Sequence, residues 1–241
     1  MPVCQGGPAA CIVTRTQPSQ KRSRERVDQI LLAAAEIIAK SGSPDSLTTT
    51  SVSNWSGMSV ATIYRYFVDR YNIMAALIDR ELEVIDAEID RRIGSLERIS
   101  IDTLLDAMFE THFEHFQENR RAVVLWYGVR ESAEVRERVE RRHAALSDWL
   151  TESLLAAGML RDDYPWWGAE GIVWVCDCSY EFIFKTDRTP TEQKEIADAT
   201  IEMLSDQIRK FATPRGIDGV PTEEFIQSAG RFGAVGNTTG R

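Results

Sequence analysis

The segment 57–67, GMSVATIYRYF, collects side chains that can contact nucleic acid. Four of them are small, so a helix carrying them can approach base edges closely, and their hydroxyl and methyl groups can contact those edges. Two phenolic hydroxyls and a guanidinium nearby can bond phosphate oxygens. The small residues are Ser59, Val60, Ala61 and Thr62, and the candidates for phosphate binding are Tyr64, Arg65 and Tyr66.

A helix-turn-helix is the unit that would present these side chains to DNA. Thr48 is placed to cap a first helix over 49–55, Gly57 supplies a turn, and Ser59 is placed to cap a second helix over 60–66. In a helix-turn-helix the second helix enters the major groove and its first residues reach base edges. The start of the first helix can hold a phosphate through side chains and backbone N–H groups. Thr48 and Thr49 lie at that start, and Arg70 adds charge just beyond the motif.

The opposite side of the second helix is apolar and predicts its buried face. Ile63 and Phe67 lie four residues apart, so they share one side of the helix. We expect them to pack against Val52 and Ile38, which leaves the tyrosines facing outward.

Residues 24–74 resemble the DNA-binding domain of the TetR family of transcriptional regulators. The resemblance rests on the sequence TIYRYF after a Gly-x-Ser turn, in a frame that includes Thr48, Val52, Ile73 and the segment 56–67. Three residues depart from the usual pattern, namely Ser53 for alanine, Trp55 for a polar or basic residue, and Arg70 for lysine. Arg70 keeps the charge and can bind phosphate with two prongs. Trp55 has no assigned role, and packing on the tail or an effect on operator choice stay open.

The fold class predicted from apolar periodicity is all-α, with a small N-terminal domain and a larger C-terminal one. Six longer helices follow the first helix and the two short ones. The predicted helices are 24–41, 49–55, 60–66, 70–93, 102–119, 121–130, 132–157, 166–186 and 190–212. The predicted domains are a disordered tail over 1–20, a helix-turn-helix domain over 21–70, a ligand-binding and dimerisation domain over 71–212, and a disordered tail over 213–241, which is rich in Gly, Pro and Thr.

The charge distribution separates a basic head from an acidic body. The 241 residues carry a formal net charge of −9, whereas residues 21–70 hold seven Lys/Arg and five Asp/Glu, a net charge of +2. The four cysteines show no zinc-ribbon or C-x-x-C spacing. No apolar run reaches the roughly 18 residues that span a membrane. We therefore expect a cytoplasmic protein that does not enter a membrane.

The family resemblance implies three partners, which are double-stranded DNA, a second copy of the chain and a small-molecule effector. The homodimer would form through 166–186 and 190–212, and its two-fold symmetry implies a pseudo-palindromic operator. Repression is the family's common mode, with release by the effector and no cofactor. A largely apolar effector pocket is implied in the larger domain, although plain core packing is an alternative for each candidate. The candidates are Phe109, His112, Phe113, Phe116, Trp126, Tyr127, Trp149 and Trp174.

A helical metal-binding protein or enzyme that uses His112 and His115 is the rival interpretation. These histidines lie three residues apart, and Glu140 and His143 form a single E-x-x-H, whereas di-iron bundles need two such motifs. The neighbouring Arg141 and Arg142 indicate a solvated face. A helix-turn-helix that serves only protein interaction is a third possibility. We expect no catalytic residues and no metal.

Overall fold

The computed structural model describes residues 21–128, 132–230 and 232–233, and the described part is almost entirely helical. The predicted all-α class is confirmed, with eleven α-helices in these ranges. They are α1 (Lys21–Ser41), α2 (Thr49–Ser56), α3 (Val60–Tyr66), α4 (Arg70–Ser95), α5 (Ile101–Glu118), α6 (Arg120–Gly128), α7 (Ala133–Ala156), α8 (Gly168–Phe184), α9 (Pro190–Arg209), α10 (Pro214–Asp218) and α11 (Thr222–Ala229). A 3-10 turn spans Pro44–Ser46, and two short strands, β1 (Arg98–Ile99) and β2 (Val220–Pro221), pair antiparallel.

Side-chain caps fix the geometry of the head, α1–α3. The Thr48 hydroxyl accepts the backbone N–H of Ser51 at 3.0 Å, and the Ser59 hydroxyl accepts that of Thr62 at 3.1 Å. Gly57 ends α2 with φ of +71°, a left-handed conformation that favours glycine. Ile63 and Phe67 are fully buried in one cluster with core residues of α1 and α2, as predicted. The outer face of α3 is thereby directed to solvent.

The body forms around α4, which begins at the head and runs 26 residues into the larger bundle. Asp69 caps α4 by accepting the backbone N–H groups of Tyr71 and Asn72. Helix α4 packs on α1, α5, α6 and α7, while α8 packs between α7 and α9. The domain boundary that we drew at residue 70 stays a prediction, because the cluster that holds the head core continues along α4 into the body.

The prediction of a disordered tail over 213–241 was wrong for its described residues. Helices α10 and α11 and strand β2 occupy 214–229, and Phe225 and Phe232 are fully buried against the body. The Gly and Pro residues that suggested disorder act as helix starts and turns here: Pro214 begins α10 and Gly219 takes a positive φ. Residues 1–20, 231 and 234–241 lie outside the described residues, so the prediction for the N-terminal tail stays a prediction.

Candidate functional site

The outward face of α3 carries most of the residues predicted to contact DNA. Ala61 and Arg65 are exposed, and the Tyr64 side chain is 41% exposed. The Tyr64 hydroxyl lies 3.5 Å from Oγ1 of Thr49 at the start of α2. Two polar groups from different helices therefore meet on one exposed surface, beside an arginine. The remaining candidates on this surface are Thr48, which is exposed, and Ser59, Val60 and Thr62 near the start of α3.

Tyr66 differs from the prediction, because its side chain is only 3% exposed. Burial alone would raise the pKa of its hydroxyl, but hydrogen bonds with Ser23 and Arg26 and nearby positive charge lower that pKa. The hydroxyl therefore joins α3 to α1, and the ring belongs to the core of the head rather than to the outward face of α3. Its position on the inner side of α3, three residues after Ile63, was the available signal.

Arg70 and Trp55 each interact with a neighbouring side chain. The Arg70 guanidinium lies over the ring of Tyr71, donates to its hydroxyl at 2.9 Å and lies 3.6 Å from Asp45. About a third of the Arg70 side chain stays exposed. Trp55 is largely exposed, with the Lys40 ammonium 5.7 Å from its ring centroid. Trp55 thus offers an aromatic face at the surface of the head rather than filling its core.

A cavity of about 80 Å³ lies in the body, and residues of α4–α9 line it. Four of the predicted pocket residues line it, namely Phe109, His112, Phe116 and Trp126. Helix α4 contributes Ile78, Glu81, Leu82 and Ile85 to its wall. A space of this size holds a few water molecules, so a larger ligand enters only if the walls move.

The other four predicted pocket residues lie outside this cavity. The ring of Phe113 packs on Phe184, and the ring of Trp149 packs edge-on against Phe232 of the C-terminal segment. The Tyr127 hydroxyl bonds Asp177, and Trp174 is 41% exposed. All of them lie on the helices we expected, but none of them is among the residues that line the cavity.

A buried polar cluster lines the cavity, and the sequence analysis missed it. Arg142, only 6% exposed, donates to Asp86 of α4 at 3.1 Å. The interpretation of Arg142 as part of a solvated face was therefore wrong; its neighbour Arg141 is the exposed one. Asp177 of α8 accepts the Trp126 indole N–H at 2.9 Å and lies 3.8 Å from Nε2 of His143. An aspartate inside the apolar sequence GIVWVCDC was the signal that could have identified the cluster.

His112 has a defined protonation state. Its Nδ1 lies 2.8 Å from the Met108 carbonyl oxygen. A carbonyl oxygen only accepts hydrogen bonds, so Nδ1 carries the proton and Nε2 presents a lone pair. Burial lowers the pKa of His112 to about 4, which keeps the ring neutral at pH 7.

The rival metal interpretation finds no ligand set in the described part of the chain. His115 bonds Glu81 at 2.9 Å and His112 bonds a backbone carbonyl, so each imidazole already has a protein partner. Among the described residues, no group of three or more His, Cys, Asp or Glu side chains could hold a metal ion. In the same residues, every helix is too short or too polar to cross a membrane.

Helices α8 and α9 carry exposed apolar side chains, in the region where the family resemblance implies a dimer. Trp174, Cys178 and Phe182 recur every four residues on α8 and are exposed. Ala199 and Met203 follow the same spacing on α9 and are also exposed. A surface of this composition is typical of a protein–protein interface.

Comparison with known proteins identifies the fold. No protein-family model matches the chain. Over 80 residues it is 30% identical to the HTH-type transcriptional repressor KstR of Mycolicibacterium smegmatis, a match that spans 33% of this chain and only 39% of that repressor. A protein from Syntrophomonas wolfei assigned to the TetR family of transcriptional regulators superposes with a TM-score of 0.61 at 16% identity, covering 77% of this chain and 96% of that one. FadR from Bacillus subtilis, solved with stearoyl-CoA, superposes with a TM-score of 0.60 at 18% identity, covering 75% and 98%. The resemblance drawn from the α2–α3 sequence is confirmed, and the chain has the all-helical fold of the TetR-family transcriptional regulators.

Proposed function

We propose that the chain is a ligand-responsive transcriptional repressor that acts in the cytoplasm, binds a pseudo-palindromic operator as a homodimer and is released by a largely apolar effector. The observation that carries this proposal is the outward face of α3, where Ala61, Tyr64 and Arg65 are exposed beside the threonines that begin α2. The relative KstR is a transcriptional repressor of the HTH type, which supports the same role here. We assign no enzymatic activity to the chain.

DNA contact is supported by the order of the residues along α3, with small side chains in its first turn and longer polar side chains in the next. Thr62 and Ala61 lie in the first turn of α3, where a recognition helix reaches base edges, so we assign them sequence readout together with Ser59 and Val60. Tyr64 and Arg65 follow in the next turn, where side chains reach the backbone. We assign phosphate contact to these two residues and to Thr48, Thr49 and Arg70. Tyr66 is left out because it is buried.

The homodimer is supported by the exposed apolar side chains of α8 and α9. Trp174, Phe182 and Met203 each expose 41% or more of their area. Pairing these helices with their copies around a two-fold axis would cover the same surface on both protomers. Two recognition helices would then face DNA about one helical turn apart, or a multiple of that distance.

Effector control is supported by the position of α4 between the cavity and the head. The helix begins at Arg70 beside the α3 surface, and Ile78, Leu82 and Ile85 line the cavity further along. A ligand larger than the present space must displace this wall, and a shift of α4 changes the spacing of the two heads. Such a ligand acts by preferring one arrangement, and a shift from 1:99 to 99:1 needs about 5.5 kcal/mol of differential affinity. The stearoyl-CoA complex of Bacillus subtilis FadR, which has the same fold, supports an effector with an apolar part.

The first test is selection of bound sites from random duplex DNA with the purified full chain, read by sequencing. The expected result is one enriched pseudo-palindrome. Arg65→Gln should then weaken binding to that site and reduce the dependence of log K on log salt by about one unit, because one phosphate contact is lost. Arg136→Gln removes the same charge from an exposed position on α7 and serves as the matched control.

Three outcomes would contradict the proposal. Failure to enrich any site with folded, dimeric protein would argue against DNA reading by α3. Normal operator affinity in Tyr64→Ala would show that the groove-facing helix is misassigned. Equal losses in the Arg65 and Arg136 variants would mean that overall charge, and not this surface, determines binding.

A further inference from the structure

We propose that the effector is a neutral molecule with a hydroxyl group on an apolar ring, and that Nε2 of His112 accepts the hydrogen bond from this hydroxyl. The inference rests on the proposed function in taking the cavity as the effector site, and it adds the chemical class of the ligand. Aromatic side chains form part of the wall around His112, which suits a ring. They are Phe109, Phe116, Trp126 and Tyr180.

The acceptor is fixed by backbone geometry. Nδ1 of His112 donates to the Met108 carbonyl one helical turn earlier, so the proton cannot move to Nε2 without breaking that bond. Among the described residues, none gives Nε2 a hydrogen-bond partner, although His112 lines the cavity. The ring of Tyr180 lies nearly parallel to the imidazole, with 6.2 Å between the two ring centroids. The cavity therefore presents one oriented lone pair to its contents.

The Tyr180 hydroxyl does not compete for this lone pair. It donates instead to the Phe109 carbonyl oxygen at 2.8 Å. The Trp126 indole N–H is likewise committed to Asp177 at 2.9 Å. The donor for His112 must therefore come from outside the aromatic wall, and a ligand hydroxyl supplies one.

The charges around the cavity disfavour an anionic ligand. Arg142 is the only Lys or Arg among the described residues that line it, and both of its terminal nitrogens bond Asp86. The carboxylates of Glu81 and Asp177 lie in the same wall. A free carboxylate would be desolvated beside these like charges with no uncommitted cation to pair with.

One buried donor complements the histidine. Nε of Arg142 is fully buried and has no hydrogen-bond partner in the part of the chain that the structure describes. Leaving such a donor unsatisfied has a free-energy cost, and an entering oxygen atom can relieve it. A hydroxyl both donates and accepts hydrogen bonds, so it suits a wall that contains the His112 acceptor and the Arg142 donor. A bare hydrocarbon satisfies neither of them.

The test measures binding of three matched probes, 1-naphthol, naphthalene and 1-naphthoate, to the full-length protein by titration calorimetry at pH 7.5. The three share one ring system and differ in hydroxyl, hydrogen and carboxylate. We expect 1-naphthol to bind about tenfold more tightly than naphthalene, which corresponds to one additional hydrogen bond, and 1-naphthoate to bind most weakly. Tightest binding by 1-naphthoate, or no binding by any probe, would overturn the inference.

Two variants assign the preference to His112. His112→Phe keeps an aromatic ring without an acceptor and should reduce the naphthol-to-naphthalene affinity ratio to about twofold or less, whereas His112→Gln keeps a carbonyl acceptor and should retain part of it. An unchanged ratio in His112→Phe would overturn the role of this residue. These measurements contain no DNA, so they stand if site selection fails; conversely, a failed probe series leaves DNA binding by α3 intact.

Discussion

Phe182→Asp tests the proposed dimer at its most exposed aromatic side chain on α8. Phe182 is 55% exposed in the single chain. Complete burial of a phenylalanine contributes up to about 3 kcal/mol, so covering this exposed half contributes roughly 1.5 kcal/mol. A two-fold interface contains the residue twice, which gives about 3 kcal/mol, or roughly 100-fold in the dimer dissociation constant. The buried carboxylate adds to that loss.

The assay is sedimentation of the purified protein over a range of concentrations. Val84→Asp is the matched control, because Val84 is 58% exposed on α4 and away from the α8–α9 surface. The control should dimerise like the unaltered chain, while Phe182→Asp should be monomeric at concentrations where the control is dimeric. A monomeric unaltered chain, or equal dissociation constants for the two variants, would refute the assignment of the interface to α8 and α9.

Three further predictions concern stability, each measured by urea unfolding. Trp126→Phe should destabilise the fold by about 1–2 kcal/mol more than Trp149→Phe. The first substitution loses a hydrogen bond to a buried carboxylate, whereas the second removes an indole N–H that has no hydrogen-bond partner among the described residues. Equal losses would contradict this. The pKa of His112 is about 4 in the folded chain and 6.5 ordinarily, so between pH 7 and pH 5 only the unfolded chain gains this proton. The free energy of unfolding should therefore fall by about 2 kcal/mol as the pH decreases over this range. His112→Gln should lack this part of the pH dependence. Gly216→Ala places a Cβ 2.2 Å from the Met159 carbonyl oxygen and should cost about 3 kcal/mol; no loss would mean that the C-terminal segment is not part of the cooperative fold.

Local signals were sufficient for most of the helices. The apolar periodicity of α4 and α5 and the capping box at Thr189, which begins α9, depend on residues within a few positions of one another. The predicted helices consequently end within a few residues of those observed. The α2–α3 motif has the added advantage of a specific sequence, so its caps and the burial of Ile63 and Phe67 were predictable, whereas the burial of Tyr66 was missed.

Long-range pairing explains what the sequence analysis missed. Asp86 and Arg142 are 56 positions apart, and nothing near Arg142 in the chain indicates that its charge is neutralised by α4. The C-terminal segment was misjudged for the same reason. Its Gly and Pro residues indicate turns, but only the tertiary structure reveals that Phe225 and Phe232 fill a space beside Trp149. Local composition indicates where a segment turns, but it does not indicate which distant residues the segment packs against.

The charge pairs of α4 constrain how the cavity can control the head. Arg138 and Arg142 of α7 bond Asp79 and Asp86 of α4, and all four side chains are mostly buried. Separating one such pair costs about 3–5 kcal/mol, comparable with the differential affinity that a complete switch requires. If an effector pulled α4 away from α7, the cost of breaking these ion pairs would offset its differential affinity, and little would remain to shift the equilibrium. Glu81 of α4 also bonds His115 of α5 and Arg121 of α6, so α4 is held by charge pairs on both sides. We therefore expect α4 to move together with the helices that are paired to it, and α1 to follow, because α1 packs on both α4 and α6.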